Sequence, residues 1–152
     1  MSWTYNKKRF TQKDFDRLTK EGYIGFIYEI TQLSTGKKYI GKKGFFRKKT
    51  LPVTKTRKRR KHTFVESDWK DYYSSSPAIM ESVKNGNKKD YKREILMFGK
   101  SKGSLSYLET ATQFIRNVLL DDNYLNGIIN CRIHKKHLKD LESDLKIENL
   151  ME

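Results

Sequence analysis

The spacing of apolar positions changes from segment to segment along this chain, and it predicts a short series of alternating elements. Thr11, followed three residues later by Asp14, is a helix start, and the helix is expected to close at Gly22. Residues 23–30 (Tyr-Ile-Gly-Phe-Ile-Tyr-Glu-Ile) are aromatic and β-branched without clean polar alternation, the pattern of a strand covered on both faces. Gly36 offers a positive φ for a turn across 31–37, and Lys38 to Gly41 return as a second strand. Pro77 preceded by Ser76 opens a helix that Asn85-Gly86 closes. Tyr91 to Met97 form a third strand. Leu105, Leu108, Thr112, Ile115 and Leu119 recur at helical spacing and predict an amphipathic helix over 105–120.

Three stretches are less regular. Residues 1–10 read as irregular and basic, and 125–133 as an extended apolar segment. Leu138, Leu141 and Leu145 place a charged helix over 134–150. The stretch 42–65 resists assignment: Pro52 interrupts any continuous helix, and a helix followed by a mobile loop is the expectation there. The fold class that results is mixed α/β (α+β), a small antiparallel sheet of three strands flanked by helices. With no internal repeat and no linker, residues 1–152 are expected to form a single domain with its core at about 23–133.

Charge sharpens this picture. Residues 1–63 carry 19 Lys and Arg against 4 Asp and Glu, whereas the remaining 89 residues balance at 14 of each. The whole net charge of +15 therefore sits in the first half, and 42–61 hold 11 Lys or Arg with no acid. Such a segment attracts polyanions, and phosphate backbones are the natural partner. The bland alternative is a solvated basic patch. No run approaches the ~18 apolar residues of a membrane span, and Met1 to Tyr5 lack an apolar leader core. One cysteine, Cys131, excludes an intrachain disulfide and a thiolate-rich metal site, so a cytoplasmic compartment is expected.

Cleaving a phosphodiester requires an activated water, compensation of charge in the transition state and help for the leaving oxygen. Phenols can position or deprotonate water where cations lower their pKa from ~10, and carboxylate oxygens suit magnesium or manganese. The runs Gly25-Phe26-Ile27-Tyr28 and Tyr39-Ile40-Gly41, flanking a Ser-Thr-Gly turn, place one tyrosine on each predicted hairpin strand. This pair, followed by a basic segment, Ser75-Ser76, a helix–strand unit and a helical glutamate, resembles the GIY-YIG nuclease core over roughly residues 23–98 and beyond. Gly-Lys-Lys, Glu-Ser-Asp-Trp-Lys-Asp-Tyr-Tyr and Arg-Ile-His look most like phage-encoded, Seg-type homing endonucleases. Each element alone is weak, and the set is specific.

The resemblance implies a metal-dependent endonuclease acting on double-stranded DNA with Mg2+ or Mn2+, as a monomer or transient homodimer, in the host cytoplasm if phage-encoded. It implies catalytic roles for Tyr28 and Tyr39, metal binding by Glu109, and a contact to phosphate or water by Lys43. An asparagine near the end of the core is Asn126 or Asn130, with Asn126 preferred. The family's arginine is Arg47 or belongs to the Arg57-Arg59-Arg60 cluster, the cluster being preferred, with His62 as a proton-handling candidate. Lys42, Arg47, Lys48, Lys49, Lys58, Arg59 and Lys61 are expected to bind DNA. Other readings stand beside these. The tyrosines taken singly are ordinary core residues, and glutamate on a helix is usually solvated. Trp69, Tyr72 and Tyr73 stack on bases or pack on the core, and Asp68 and Asp71 pair with local lysines or, as the outside alternative, supply a second metal ligand. The whole chain is alternatively a binding module that has lost cleavage, or a basic RNA-associated protein.

Overall fold

The computed structural model describes residues 2–139 and Leu141. Among them, in chain order, lie strands β1 (Thr4–Tyr5), β2 (Lys8–Arg9), β3 (Gly25–Gln32), β4 (Lys38–Gly44), β5 (Phe46–Leu51), β6 (Lys61–Glu66) and β7 (Tyr91–Gly99). The helices are α1 (Gln12–Lys20), α2 (Pro77–Lys84) and α3 (Lys102–Ile115). The apolar run at 25–30 becomes β3, with β4 and β7 antiparallel on either side, in a sheet of order β2-β1-β7-β3-β4.

This is a mixed α+β fold, but its sheet has five strands where three were expected. The two additional strands come from the segment read as irregular. Asn6 and Lys7 both take positive φ, +49° and +66°, which turns Thr4–Tyr5 back on Lys8–Arg9, and β1 then pairs in parallel with β7. Strands of two residues carry no readable period, so only the pairing reveals them.

Both faces of β3 are covered, which explains its unbroken apolar run. Phe26, Tyr28 and Ile30 point into an aromatic core with Trp3, Phe15, Phe45 and Trp69. Ile27, together with Ile40 of β4, points the other way, against Leu105 and Leu108 of α3. Gly25 lets that helix approach: a Cβ there would lie 2.8 Å from Leu105 Cδ1 and 2.5 Å from the Lys43 carbonyl oxygen.

The expected helix starts form. Thr11 and Asp14 make a reciprocal capping box on α1, and Pro77 opens α2 behind Ser76. The third helix ends earlier than the apolar spacing suggested. Asn117 takes φ +52°, the Val118 N–H donates to the Gln113 carbonyl, and Leu119 is left exposed past the end. Residues 125–133 form no strand; just before them Tyr124 bridges Lys38 of β4, and the Leu125 N–H donates to the Lys38 carbonyl. Of the helix expected over 134–150, Lys135–Leu138 form a single 3-10 turn, and residues 140 and 142–150 lie outside the described residues.

The largest correction concerns 42–65. No helix forms there. β4 continues to Gly44, and β5 and β6 pair along their whole length as a separate two-stranded ribbon. Its foot is tied to the sheet, with the Ser67 N–H donating to the Phe45 carbonyl and the Ser67 hydroxyl to the Gly44 carbonyl. Because neither strand fills a core, no apolar alternation marked it in the sequence.

Candidate active site

The outer edge of β4 is where the functional candidates meet. β4 is the last strand of its sheet, so alternate N–H and C=O groups face away from β3 and need partners. Ile40 is satisfied by side chains. Asn126 accepts from its N–H at 3.0 Å and donates to its C=O at 2.8 Å, while Gln113 Nε2 donates to the same carbonyl at 3.1 Å. Two residues along, the Glu109 carboxylate of α3 lies where the Lys42 ammonium and backbone N–H both favour its charged form. Asn126 and Glu109 thus approach one strand edge from two different segments.

Tyr28 reaches the same edge from the other face. It sits opposite Gly41 in the β3–β4 register, and its ring lies across that glycine. A Cβ at position 41 would come within 2.5 Å of the Tyr28 hydroxyl oxygen. The glycine of Tyr-Ile-Gly is therefore the opening through which the phenol passes. Burial is the main force on this group: Tyr28 is fully buried, and desolvation pushes its phenol well above the ordinary tyrosine range. Tyr72, Tyr39 and Glu109 add to the rise. The sequence-based condition, a phenol lowered by nearby cations, is reversed here, and Tyr28 stays protonated. Its hydroxyl shares a 3.2 Å hydrogen bond with that of Tyr72.

Tyr39 lies next to Tyr28, with ring centroids 6.3 Å apart, but is only half-buried. Its hydroxyl is 3.0 Å from Ser75 Oγ. Lys43, on the same face, sits 4.1 Å over the Tyr72 ring and forms a 2.6 Å ion pair with the exposed Asp68. Lys42 projects to the α3 side and donates to Ser106 Oγ at 2.6 Å. Glu109 is half-buried, and desolvation raises its carboxyl above the usual value, partly opposed by the Lys42 ammonium and backbone N–H.

Tyr28, Tyr39, Lys43, Lys42, Glu109 and Asn126 are therefore brought together. Asn126 is buried and acts by shaping β4, and Asn130 is exposed. The arginine cluster is not brought there. The ribbon is six residue pairs long, from its foot pair, Phe46 with Glu66, to its last pair, Leu51 with Lys61, roughly 17 Å at strand rise. Arg57 lies beyond that end, donating to the Pro52 carbonyl at 2.6 Å, and Arg59 and Arg60 are exposed beside it. His62 bonds across the ribbon to Thr50 Oγ1 at 3.1 Å. Arg47, at the foot, is the arginine whose charge is felt at Asp68, which it and chiefly Lys43 hold below the ordinary carboxylate range.

Two residues gain roles that spacing did not disclose, Tyr72 beside the Tyr28 hydroxyl and Ser75 beside Tyr39. Arg93 was missed altogether. Buried on β7 with its guanidinium 4.2 Å from the Tyr73 ring, it donates at 2.9 Å to the carbonyls of Lys70 and Tyr72 and so holds Tyr72 in place. Trp69 and Tyr73 pack in the core.

The family model of the segE endonuclease GIY-YIG domain matches residues 3–129. The chain belongs to the Seg-type GIY-YIG endonuclease family. Its function is accordingly of the nuclease type, with DNA as the implied substrate. Neither the curated proteins nor the solved structures gave a match. Among the described residues, no helix is long and apolar enough to cross a membrane.

Proposed function

We propose that this GIY-YIG chain is a divalent-cation-dependent endonuclease that hydrolyses double-stranded DNA. The observation that carries the reading is the meeting of two phenols, two ammonium groups and the Glu109 carboxylate at one strand edge, from β3, β4 and α3. Magnesium or manganese fits the possible ligands of this set, which are all oxygen. No group of three His, Cys, Asp or Glu forms among the described residues, so Glu109 would be the protein's carboxylate ligand, with phosphate and water completing the shell. When bound, such a cation stabilises the charge that develops on the phosphate and the leaving 3′-oxygen.

The chain's own groups divide the remaining work. Tyr39, half-buried and oriented by Ser75, positions the attacking water. Tyr28, kept protonated by burial, acts as a hydrogen-bond donor at the same point, aligned by Tyr72. Lys43 neutralises the phosphate after exchanging Asp68 for it, and Lys42 supplies charge from the other side of the strand. Arg47 at the ribbon foot suits the arginine role better than Arg57 or Arg60 at its far end. In this reading the chain is a homing-type or related mobile-element nuclease, phage-encoded and working in the host cytoplasm; the Seg-type match supports its nuclease part.

The test is incubation of supercoiled and linear DNA with the protein in magnesium, in manganese and in EDTA, followed by mapping of the cut ends. Cleavage that EDTA abolishes, and that Glu109→Gln and Tyr39→Phe each suppress, is the expected result. Binding without any cut in either metal supports the alternative, a scaffold that binds DNA and no longer cleaves it.

A further inference from the structure

The ribbon carries more than charge. Directly opposed residues of an antiparallel pair share a face, so Phe46, Lys48 and Thr50 of β5 lie on one side with Glu66, Phe64 and His62 of β6. On that face Phe64 is 65% exposed and Phe46 39%, and its other side chains, Lys48, Thr50, His62 and Glu66, are charged or polar. A solvated lysine face needs no phenylalanine, and Phe64 fills no core.

Both rings border a cleft of about 940 Å³. It is also lined by Lys102 and Leu105 at the start of α3, by Lys42 and Lys43 of β4 and by Tyr72. The cleft therefore adjoins the proposed site, since Lys43 and Tyr72 touch each other and Tyr72 touches Tyr28. A two-stranded ribbon is of a width that a DNA groove admits, and apolar side chains among cations are the usual means of prising base steps apart.

We propose that Phe64 is a wedge: on binding, it enters between two base pairs beside the phosphate held at the β4 edge, opening and unwinding that step. The occupant of the cleft is duplex DNA, chosen by its charge complementarity to Lys42, Lys43, Lys48 and Lys102 around the two rings. Steps that unstack easily, pyrimidine–purine steps above all, are then favoured without any hydrogen bond to a base edge. Phe64 is a specificity-determining residue in this account, which rests on reading the chain as a DNA nuclease.

The experiment uses the full chain on a closed-circular plasmid in EDTA, relaxed by a metal-independent topoisomerase, with bound protein quantified in parallel. The parent is expected to leave a linking-number deficit proportional to the chains bound. Phe64→Ala should at least halve the deficit per bound chain, Phe64→Trp should keep it, and Lys48→Ala should weaken binding but leave the deficit per bound chain unchanged. Thermal melting of each variant separates this from unfolding. An undiminished deficit in Phe64→Ala, or a parent that binds without unwinding, overturns the wedge. Cleavage in magnesium is scored separately. A parent that unwinds but never cuts removes the nuclease reading and keeps the wedge, one that cuts without unwinding does the reverse, and one that binds no DNA removes both.

Discussion

The hairpins β3–β4 and β5–β6 follow one another with a single residue, Phe45, between them, and share little beyond their backbone hydrogen bonding. From Gly25 to Ile30 the first is buried without interruption, whereas Phe46 to Thr50 of the second are all exposed. The first is pinned by an aromatic core on one face, α3 on the other and side chains along its edge. The second is held by its own ladder and a tied foot. Positioning a water and a phosphate requires groups whose geometry packing enforces, and the buried hairpin provides them. Gathering a polyanion requires charge that stays solvated and reaches outward, which the exposed ribbon provides. On the proposed function, chemistry and capture are divided between adjacent units of one kind.

The comparison breaks most sharply at Glu109. Replacing it with Gln is expected to lower cleavage by about 10³-fold or more, because it removes the carboxylate ligand while preserving shape. Stability should move the other way. A carboxyl raised in the folded state binds its proton more tightly there than when unfolded, so the fold loses stability as pH rises from the unfolded value through the folded one. Glu109→Gln removes that loss, and its melting temperature at pH 7 should equal or exceed the parent's. The acid limb of the activity profile should lie above that of an ordinary carboxylate, and Lys42→Met should push it higher still. A variant that loses activity and stability together would make Glu109 structural.

Asn126→Ala tests the buried hairpin from its edge. Losing both bonds to Ile40 should cost about 2–3 kcal/mol in urea unfolding, with the Ile40 N–H left unpaired. Gly41→Ala should cost about 1–3 kcal/mol by driving a methyl into the Tyr28 hydroxyl, and cleavage should fall with it. The smallest effect on the fold belongs to the ribbon. Lys48→Ala with Lys49→Ala should leave stability within about 0.5 kcal/mol. In a filter-binding titration the same pair should reduce the slope of log affinity against log salt by about 2, since each phosphate that a lysine neutralises contributes about 0.9. A ribbon whose lysines change folding and leave the salt slope untouched would erase the division.

What was legible in the sequence followed from how strongly neighbours along the chain constrain one another. The capping box at Thr11 and Asp14 and the proline start at Pro77 are local, and both helices begin where those residues stand. The apolar run of β3 was readable because both its faces are filled. α3 was overextended because Asn117, whose left-handed conformation stops it, does not announce itself as a glycine would. β1, β2 and the ribbon were missed for a related reason: two are two residues long, and the others have no buried face to impose a period.

For the site, the order of residue types along the chain was enough to nominate Tyr28, Tyr39, Lys43, Glu109 and Asn126, because each stands in a motif that can be read in one dimension. Everything quantitative about them came from long-range contact. Burial decided that Tyr28 keeps its proton, the strand edge decided that Asn126 bonds Ile40 while Glu109 sits half-buried by Lys42, and the ribbon's height carried Arg57 and Arg60 away from the site while leaving Arg47 at its foot. Sequence alone determined which chemical groups this protein owns and roughly which elements bear them. Only the tertiary structure decided which of those groups share a solvent environment, since dielectric and distance are properties of the packed molecule and not of the order of its residues.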